Sequence, residues 1–178
     1  FLPNLVELID DPIATIGNGK YMLIEFHPYN IPEIHKQVFF DLKMKGVTPI
    51  IAHPERYKKV QDNINIVAEW LEAGCIIQID AGSPLGFLGQ QAKKTSELLI
   101  KNNWYQIIGS DAHDNKNRNF CMKESLHYIN SIVEGDINHL VKENPEKIIR
   151  GEKLLIDVKY QNHSDNHSFF DQIKNIFK

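Results

Sequence analysis

The sequence has little cysteine, little net charge and no long apolar stretch, and each shortage argues against a class of protein. Cys75 and Cys121 are the two cysteines among 178 residues, too few for a disulfide scaffold and without zinc-type spacing. Lysine and arginine number 20 against 23 aspartates and glutamates, so the net charge of −3 lacks the basic excess of a nucleic-acid-binding domain. No run approaches the ~20 apolar residues of a membrane span, and no signal-peptide pattern opens the chain. These features predict a cytoplasmic protein.

The sequence does have enough apolar residues for a core, 42% of the total, and they fall into short runs that alternate with amphipathic ones. Continuous apolar runs predict four strands, at residues 21–24, 47–52, 75–79 and 104–108. Amphipathic runs predict a helix after each strand, at about residues 32–45, 62–73, 90–101 and 119–133. Because strands that are apolar throughout are buried on both faces, the pattern favours an α/β fold with a parallel sheet and helices outside it.

The two ends of the chain depart from this alternation. The sequence starts at Phe1 with an apolar run and no initiator methionine, which suggests a helix cut from a larger protein. Residues 158–168 are polar and predict a linker, and residues 169–178 have the spacing of a short amphipathic helix. That helix could dock on the body, bind a partner or lie on a membrane surface, and docking is the preferred interpretation. The predicted division is therefore a domain over residues 1–157, a linker and a tail helix.

Ionisable side chains follow every predicted strand. Glu25 follows the first strand, His53 the second, Asp80 the third, and Asp111 and His113 the fourth. In a (β/α) barrel the carboxyl ends of the strands meet on one face, where active sites are built. Imidazoles and carboxylates without a nearby thiol are typical of a site for manganese, zinc or iron. Such ions lower the pKa of a bound water for hydrolysis.

Each of these residues also has a purely structural interpretation. Glu25 could be a surface carboxylate at a strand end, and His53 could hydrogen-bond within a turn. Asp111 could cap a helix or form an Asx turn. We favour metal ligation for Glu25, His53, Asp111 and His113. For Asp80, which precedes a Gly-Ser turn, we favour a capping role.

Two arginines follow the candidate histidines. Arg56 comes three residues after His53, and Arg118 comes five residues after His113. The planar guanidinium donates two parallel hydrogen bonds to a phosphate, so both arginines are candidate phosphate ligands. Arg56 could instead pair with Glu55 or a helix terminus, and Arg118 could be a solvated loop charge.

The motifs around these residues occur in a specific order. Leu-Ile-Glu-Phe occupies 23–26, His-Pro-Glu-Arg-Tyr 53–57, Gln-Ile-Asp-Ala-Gly-Ser 78–83 and Gly-Ser-Asp-Ala-His 109–113. Over roughly residues 1–153 this order resembles that of the bacterial PHP-type (polymerase and histidinol phosphatase) protein-tyrosine phosphatases, which are encoded with capsule and exopolysaccharide export machinery. The second and fourth motifs together are much more specific than either alone.

The resemblance implies a distorted (β/α)7 barrel, of which this chain would hold the C-terminal four βα units. It implies hydrolysis of phosphotyrosine by a metal-activated hydroxide at two or three metal ions, usually Mn²⁺, with Zn, Fe or Mg as alternatives. Carried over residue by residue, it assigns metal ligation to Glu25, His53, Asp111 and His113. It likewise assigns phosphate binding to Arg56 and Arg118. The implied partner is a phosphotyrosine protein, typically the tail of a membrane-associated tyrosine autokinase, and a homo-oligomer is an open alternative.

The sequence also departs from that family. An Asp-x-His-x-His strand and a Thr-Pro-His segment are missing, Asp80 stands where Asn is usual, and His27 stands where an apolar residue or proline is usual. We therefore expect this chain alone to bind metal weakly and to hydrolyse little. Two other functions stay open. One is a PHP-type phosphoesterase for another phosphate monoester, and the other is a non-catalytic module that binds phosphotyrosine or the kinase.

Overall fold

The computed structural model describes residues 1–114, 120–133 and 135–156 of the chain. Four strands and seven α-helices occur in these ranges: β1 (Tyr21–Ile24), α1 (His35–Met44), β2 (Thr48–Ala52), α2 (Lys58–Asp62), α3 (Asn65–Glu72), β3 (Ile76–Asp80), α4 (Gly82–Leu85), α5 (Gln90–Lys101), β4 (Ile107–Gly109), α6 (Met122–Ile132) and α7 (Glu143–Arg150). Short 3-10 helices span Leu5–Leu8, Pro54–Arg56 and Asn138–Leu140. The predicted α/β class is confirmed.

The four strands form one parallel sheet in the order β1-β2-β3-β4. Leu23 lies opposite Ile50 in the first pair, and Ile79 lies opposite Ile108 in the third. The strand order therefore follows the chain without the reversal that a doubly wound sheet contains. All four carboxyl ends consequently lie along one edge, which we call the carboxyl edge, and the opposite edge is the amino edge.

Alternation along the strands separates two faces of the sheet. One face packs on buried residues of α1, α3, α5 and α6, and it presents Met22, Ile24, Ile51, Ile77, Ile79 and Ile108. The other face has a smaller cluster, formed near the amino edge by Tyr21, Ile50, Ile76 and Ile107 with Ile148 and Leu154. Further along this second face Leu23 is 49% exposed. The second face is therefore covered near the amino edge and open near the carboxyl edge.

Gly46 follows the end of α1 and Gly74 follows the end of α3, as the sequence predicts. After α1, the Val47 N–H donates to the Leu42 carbonyl and the Gly46 N–H donates to the Lys43 carbonyl. Gly46 has φ +79°, which glycine adopts without a steric penalty. This paired hydrogen-bond pattern is the Schellman motif, and it turns the chain directly into the next strand.

Several boundaries differ from the sequence-based expectation. The helix predicted over about 62–73 starts later, as α3 at Asn65, because Asn63 is extended and its side-chain oxygen accepts the Asn65 N–H. The short helix α2 before it was not predicted. The last strand starts at Ile107 rather than 104, because the Trp104 N–H donates to the Leu99 carbonyl and so completes the end of α5. The expected N-terminal helix is a single 3-10 turn. The helices α4 and α7 were not predicted.

Some predictions fall on residues that the structure does not describe. These are Arg118, the linker at 158–168 and the tail helix at 169–178. Within the described ranges, no helix combines the length and the apolar character that crossing a membrane requires.

Candidate active site

Glu25 and His53 form a close pair at the carboxyl edge. They directly follow the last residues of β1 and β2, and the parallel register places Ile24 opposite Ile51. His53 Nε2 lies 3.2 Å from Glu25 Oε1, with the imidazole buried and the carboxylate 61% exposed. The backbone of His53 has φ +30°, a left-handed value that is uncommon for histidine and often marks a functional position.

The environment of His53 favours its neutral form. Burial lowers the pKa of the imidazole first, and the Arg56 charge lowers it further, against the opposing carboxylates of Glu25 and Asp111. Nδ1 of His53 is buried and has no hydrogen-bond partner among the described residues. A neutral imidazole that retains a lone pair is the form that binds a metal ion.

Arg56 pairs with two carboxylates at the carboxyl edge. Its Nη1 lies 2.5 Å from Asp111 Oδ2 and 3.5 Å from Asp80 Oδ2. The Arg56 side chain is 21% exposed, so it is held in place but remains accessible to solvent. Glu55 was an alternative partner for Arg56 in the sequence analysis. In the structure the Glu55 carboxylate instead accepts the Asp80 backbone N–H.

Asp111 and His113 form a second pair. His113 Nδ1 lies 2.7 Å from the Asp111 carbonyl oxygen and 3.8 Å from Asp111 Oδ1, and the His113 side chain is exposed. Asp111 has φ +43°, so it shares a left-handed backbone with His53. Because Asp111 also contacts Arg56, this arginine connects the fourth strand end to the segment after β2.

Asp80 and His27 have local structural roles. Asp80 is buried, and its Oδ1 accepts the Gly82 N–H at 2.7 Å, which is the turn-capping role that the sequence favours. His27 lies in the loop after β1, where its Nδ1 accepts the Tyr29 N–H at 3.3 Å.

The donor set suits a divalent metal ion in its chemistry. Each pair supplies one imidazole and one carboxylate, the ligand types of manganese, zinc and iron sites. Two protein donors are fewer than the three or four that zinc sites take from a protein. Across residues 1–114, 120–133 and 135–156 no three His, Cys, Asp or Glu side chains are grouped closely enough to hold an ion. Further donors would therefore be water, phosphate or residues other than those described.

Sequence reasoning missed the roles of Glu55, Tyr57 and Gly109. Glu55 and Tyr57 are fully buried, whereas the side chain of Arg56 between them is 21% exposed. A Cβ on Gly109 would lie 2.0 Å from the side-chain Nε2 of Gln78, so glycine leaves room for that side chain. The sequence signal that could have identified Glu55 and Tyr57 was their position in the same five-residue motif as His53 and Arg56.

The comparisons with known proteins agree with one another. The family described as "Capsular polysaccharide synthesis, CpsB/CapC" matches residues 4–150. Tyrosine-protein phosphatase YwqE of Bacillus subtilis (strain 168) is 33% identical over 149 residues, which are 84% of this chain and 59% of that protein. Putative tyrosine-protein phosphatase CapC of Staphylococcus aureus is 40% identical over 112 residues, 63% of this chain and 44% of that protein. Tyrosine-protein phosphatase CpsB of Streptococcus pneumoniae is 30% identical over 155 residues, which are 83% of this chain and 63% of that protein.

A solved structure is also similar. It belongs to the work on YwqE from Bacillus subtilis and CpsB from Streptococcus pneumoniae, described as unique metal-dependent tyrosine phosphatases. It superposes with a TM-score of 0.74 at 34% identity, over 79% of this chain and 57% of that one. The chain thus spans 44% to 63% of the length of these relatives.

Proposed function

The chain belongs to the CpsB/CapC family of capsular polysaccharide synthesis, and from this membership we propose that it carries a large part of the active site of a metal-dependent protein-tyrosine phosphatase. The observation that carries the proposal is the arrangement of Glu25, His53, Arg56 and Asp111 at one edge of the sheet. The relatives that share this chain's sequence are named tyrosine-protein phosphatases.

The proposed architecture is four consecutive units of a distorted (β/α)7 barrel, within a domain that spans residues 1–157. Two features of the described residues support it. The strand order is sequential, as in a barrel. The second face of the sheet is open near Leu23, where further strands of a closed barrel would pack.

The proposed metal ligands are Glu25 and His53 as one pair and Asp111 and His113 as the other. Manganese is the proposed ion, in two or three copies, and zinc, iron and magnesium are the alternatives that metal analysis separates. When bound, such ions lower the pKa of a coordinated water and neutralise charge on a phosphoryl group. The chain's own contribution is to keep the His53 imidazole neutral and to hold its Nε2 3.2 Å from Glu25 Oε1.

Arg56 is the proposed phosphate ligand in the described part of the chain. Its fork of N–H donors matches phosphate oxygens, and Asp80 and Asp111 hold it at the carboxyl edge. A phosphate dianion would compete with these carboxylates for the same donors. Arg118 is proposed as the second phosphate ligand from the family resemblance alone. The leaving tyrosinate has an ordinary pKa of about 10, so it depends less on protonation than an alkoxide does.

The proposed substrate is a phosphotyrosine segment of a membrane-associated tyrosine autokinase that regulates capsule or exopolysaccharide synthesis. The family description supports the link to capsular polysaccharide, and the relatives' names support phosphotyrosine. We propose that the reaction takes place in the cytoplasm, because the kinase needs cytoplasmic ATP to make the phosphotyrosine substrate.

One observation favours a second candidate function, a non-catalytic phosphotyrosine-binding module. The described residues hold no group of three metal-ligating side chains, yet Arg56 is already fixed by two carboxylates. Such a module would bind a phosphotyrosine peptide equally well with and without Mn²⁺.

Phosphate release from a phosphotyrosine peptide, measured with Mn²⁺ and with a chelator, tests the proposal in the protein as its gene encodes it. We expect Mn²⁺-dependent release that His53→Ala abolishes and His139→Ala preserves, because His139 is a partly exposed histidine whose Nδ1 lies 3.0 Å from the Asp136 carbonyl oxygen in its own turn. Peptide binding that persists without Mn²⁺ and without turnover would instead establish the binding module.

A further inference from the structure

We propose that Glu55 and Tyr57 are positioning residues that fasten the carboxyl ends of β1, β2 and β3 to one another and so fix the spacing of the site residues. The inference rests on the proposed function, since it concerns the same site. Both residues are fully buried, and neither was assigned a role by the sequence motif.

The Tyr57 hydroxyl bridges the first two strands beyond the end of their ladder. It accepts the Phe26 N–H at 3.0 Å and donates to the Ala52 carbonyl at 2.6 Å. Phe26 is the neighbour of Glu25, and Ala52 is the neighbour of His53. One buried hydroxyl therefore sets the separation of the two backbones whose side chains meet at 3.2 Å.

The phenol itself has little freedom to move. Its ring lies edge-on to Phe26, with centroids 5.7 Å apart, and packs against the His53 imidazole at 5.8 Å. Phe26 in turn stacks on Trp70 at 5.8 Å and contacts Phe39 at 6.0 Å. The bridge is therefore anchored in the core on one side and touches a candidate metal ligand on the other.

Glu55 fastens the third strand in the same way. Its Oε1 accepts the N–H of Asp80, the last residue of β3, at 2.9 Å. Asp80 Oδ2 lies 3.5 Å from Arg56, so Glu55 holds the backbone of a residue that helps to orient the phosphate-binding arginine. Gln61 Nε2 donates to the backbone carbonyl of Glu55 at 3.0 Å, which also holds the backbone of the His53–Tyr57 motif in place.

The Glu55 carboxyl group is fully buried, and its Oε1 accepts the Asp80 N–H. A glutamine has the same shape and keeps the acceptor oxygen, so Glu55→Gln should preserve the contact to Asp80. Glu55→Ala removes it and leaves a buried N–H unpaired, so this variant should have a lower melting temperature than Glu55→Gln.

The chain contains a matched control for the Tyr57 hydroxyl. The Tyr21 hydroxyl is also buried, also donates to a carbonyl (Glu152, 2.5 Å) and also accepts an N–H (Leu154, 3.2 Å). It lies at the amino edge, away from the candidate site. Tyr21→Phe and Tyr57→Phe should therefore have similar effects on stability and different effects on the site.

Four measurements test the proposal in these variants: thermal unfolding, Mn²⁺ affinity from the electron paramagnetic resonance signal of the free ion, the NMR resonances of the His53 imidazole in metal-free protein, and steady-state turnover of a phosphotyrosine peptide. We expect Tyr57→Phe to weaken Mn²⁺ binding about tenfold, as loss of residues behind metal ligands commonly does, and to shift the His53 resonances. Tyr21→Phe should lower the melting temperature similarly and change neither readout. Turnover in Tyr57→Phe should fall in kcat with little change in KM, and Glu55→Ala should raise KM in a way that Glu55→Gln does not.

Equal His53 resonances and equal Mn²⁺ affinity in Tyr57→Phe and Tyr21→Phe would overturn the inference while leaving the phosphatase proposal intact. Absence of Mn²⁺ binding and turnover in the parent protein would overturn the phosphatase proposal. In that case the His53 resonances of metal-free protein still decide whether Tyr57 positions this side chain.

Discussion

The two edges of the sheet are built from the same four strands but differ in chemistry and in cover. At the amino edge Tyr21, Ile50, Ile76 and Ile107 are sealed by Ile148 and Leu154. At the carboxyl edge the strands lead into charged side chains that remain partly exposed, on backbones that twice adopt left-handed angles. The comparison supports the proposal that the amino edge contributes stability and the carboxyl edge carries the chemistry.

The Tyr21 and Tyr57 hydroxyls make this comparison concrete. Each makes two hydrogen bonds to backbone groups and each is buried. The hydrogen bonds of Tyr21 attach the segment after α7 to the sheet, where Leu154 covers the second face near the amino edge. The bonds of Tyr57 join the residues beside two candidate ligands, which fixes a distance. Similar hydrogen-bonding thus serves different purposes at the two edges.

The largest expected effect is at the carboxyl edge. His53→Ala should reduce turnover of a phosphotyrosine substrate by more than about 100-fold, because losing a metal ligand should exceed the 10–100-fold cost of residues behind ligands. Steady-state kinetics with Mn²⁺ and a melting curve check this. A near-parental rate in folded protein would remove His53 from the site.

Arg56→Ala should have the next largest effect on activity. Losing charged hydrogen bonds of about 1.5–3 kcal/mol should raise KM by about 10- to 100-fold. Arg56→Lys should restore only part of this, since an ammonium lacks the planar fork. An unchanged KM in both variants would contradict a phosphate role.

At the amino edge, Gly17→Ala should destabilise the fold and leave the chemistry unchanged. Gly17 has φ +63°, and a Cβ there would lie 2.1 Å from the Ile148 carbonyl oxygen. We expect a loss of about 1–3 kcal/mol in the free energy of unfolding. Denaturant titration measures this loss, and kcat per folded molecule should match the parent. A fall in kcat comparable to that of His53→Ala would erase the distinction between the edges.

The smallest expected effect concerns pH and the core behind the carboxyl edge. Burial lowers the pKa of His35 below the ordinary 6.5, and its Nε2 accepts the Trp70 indole N–H at 3.0 Å. Below pH 6.5 His35 binds a proton in the unfolded chain but stays neutral in the folded chain. Its contribution to the free energy of unfolding is therefore complete above pH 6.5 and is lost as the pH falls through the lowered pKa. Melting temperatures at pH 7.5 and 5.5 should differ less in His35→Gln than in the parent. Equal pH dependence in both proteins would show that His35 does not titrate on unfolding.

Much of the fold could be predicted because its signals are local. The limits of β1 and α5 match the predicted runs, and Gly46 and Gly74 end helices as expected. Predictions failed where a single contact overrode the local pattern. Asn63 moved the start of a predicted helix to Asn65, and the Trp104 N–H completed the end of α5.

The sequence by itself determined that ligand-type residues follow successive strands, because strand periodicity and strand ends depend on neighbouring residues. Only the tertiary structure decided which of them meet. Glu25 and His53 came together as one pair, and Arg56 paired with Asp111, which is 55 positions away in the sequence. The burial of Glu55 and Tyr57 was likewise decided by residues 25 to 31 positions away, such as Asp80 and Phe26. Desolvation and hydrogen bonding depend on which groups enclose an atom in space, and a local pattern of residue types carries no record of that.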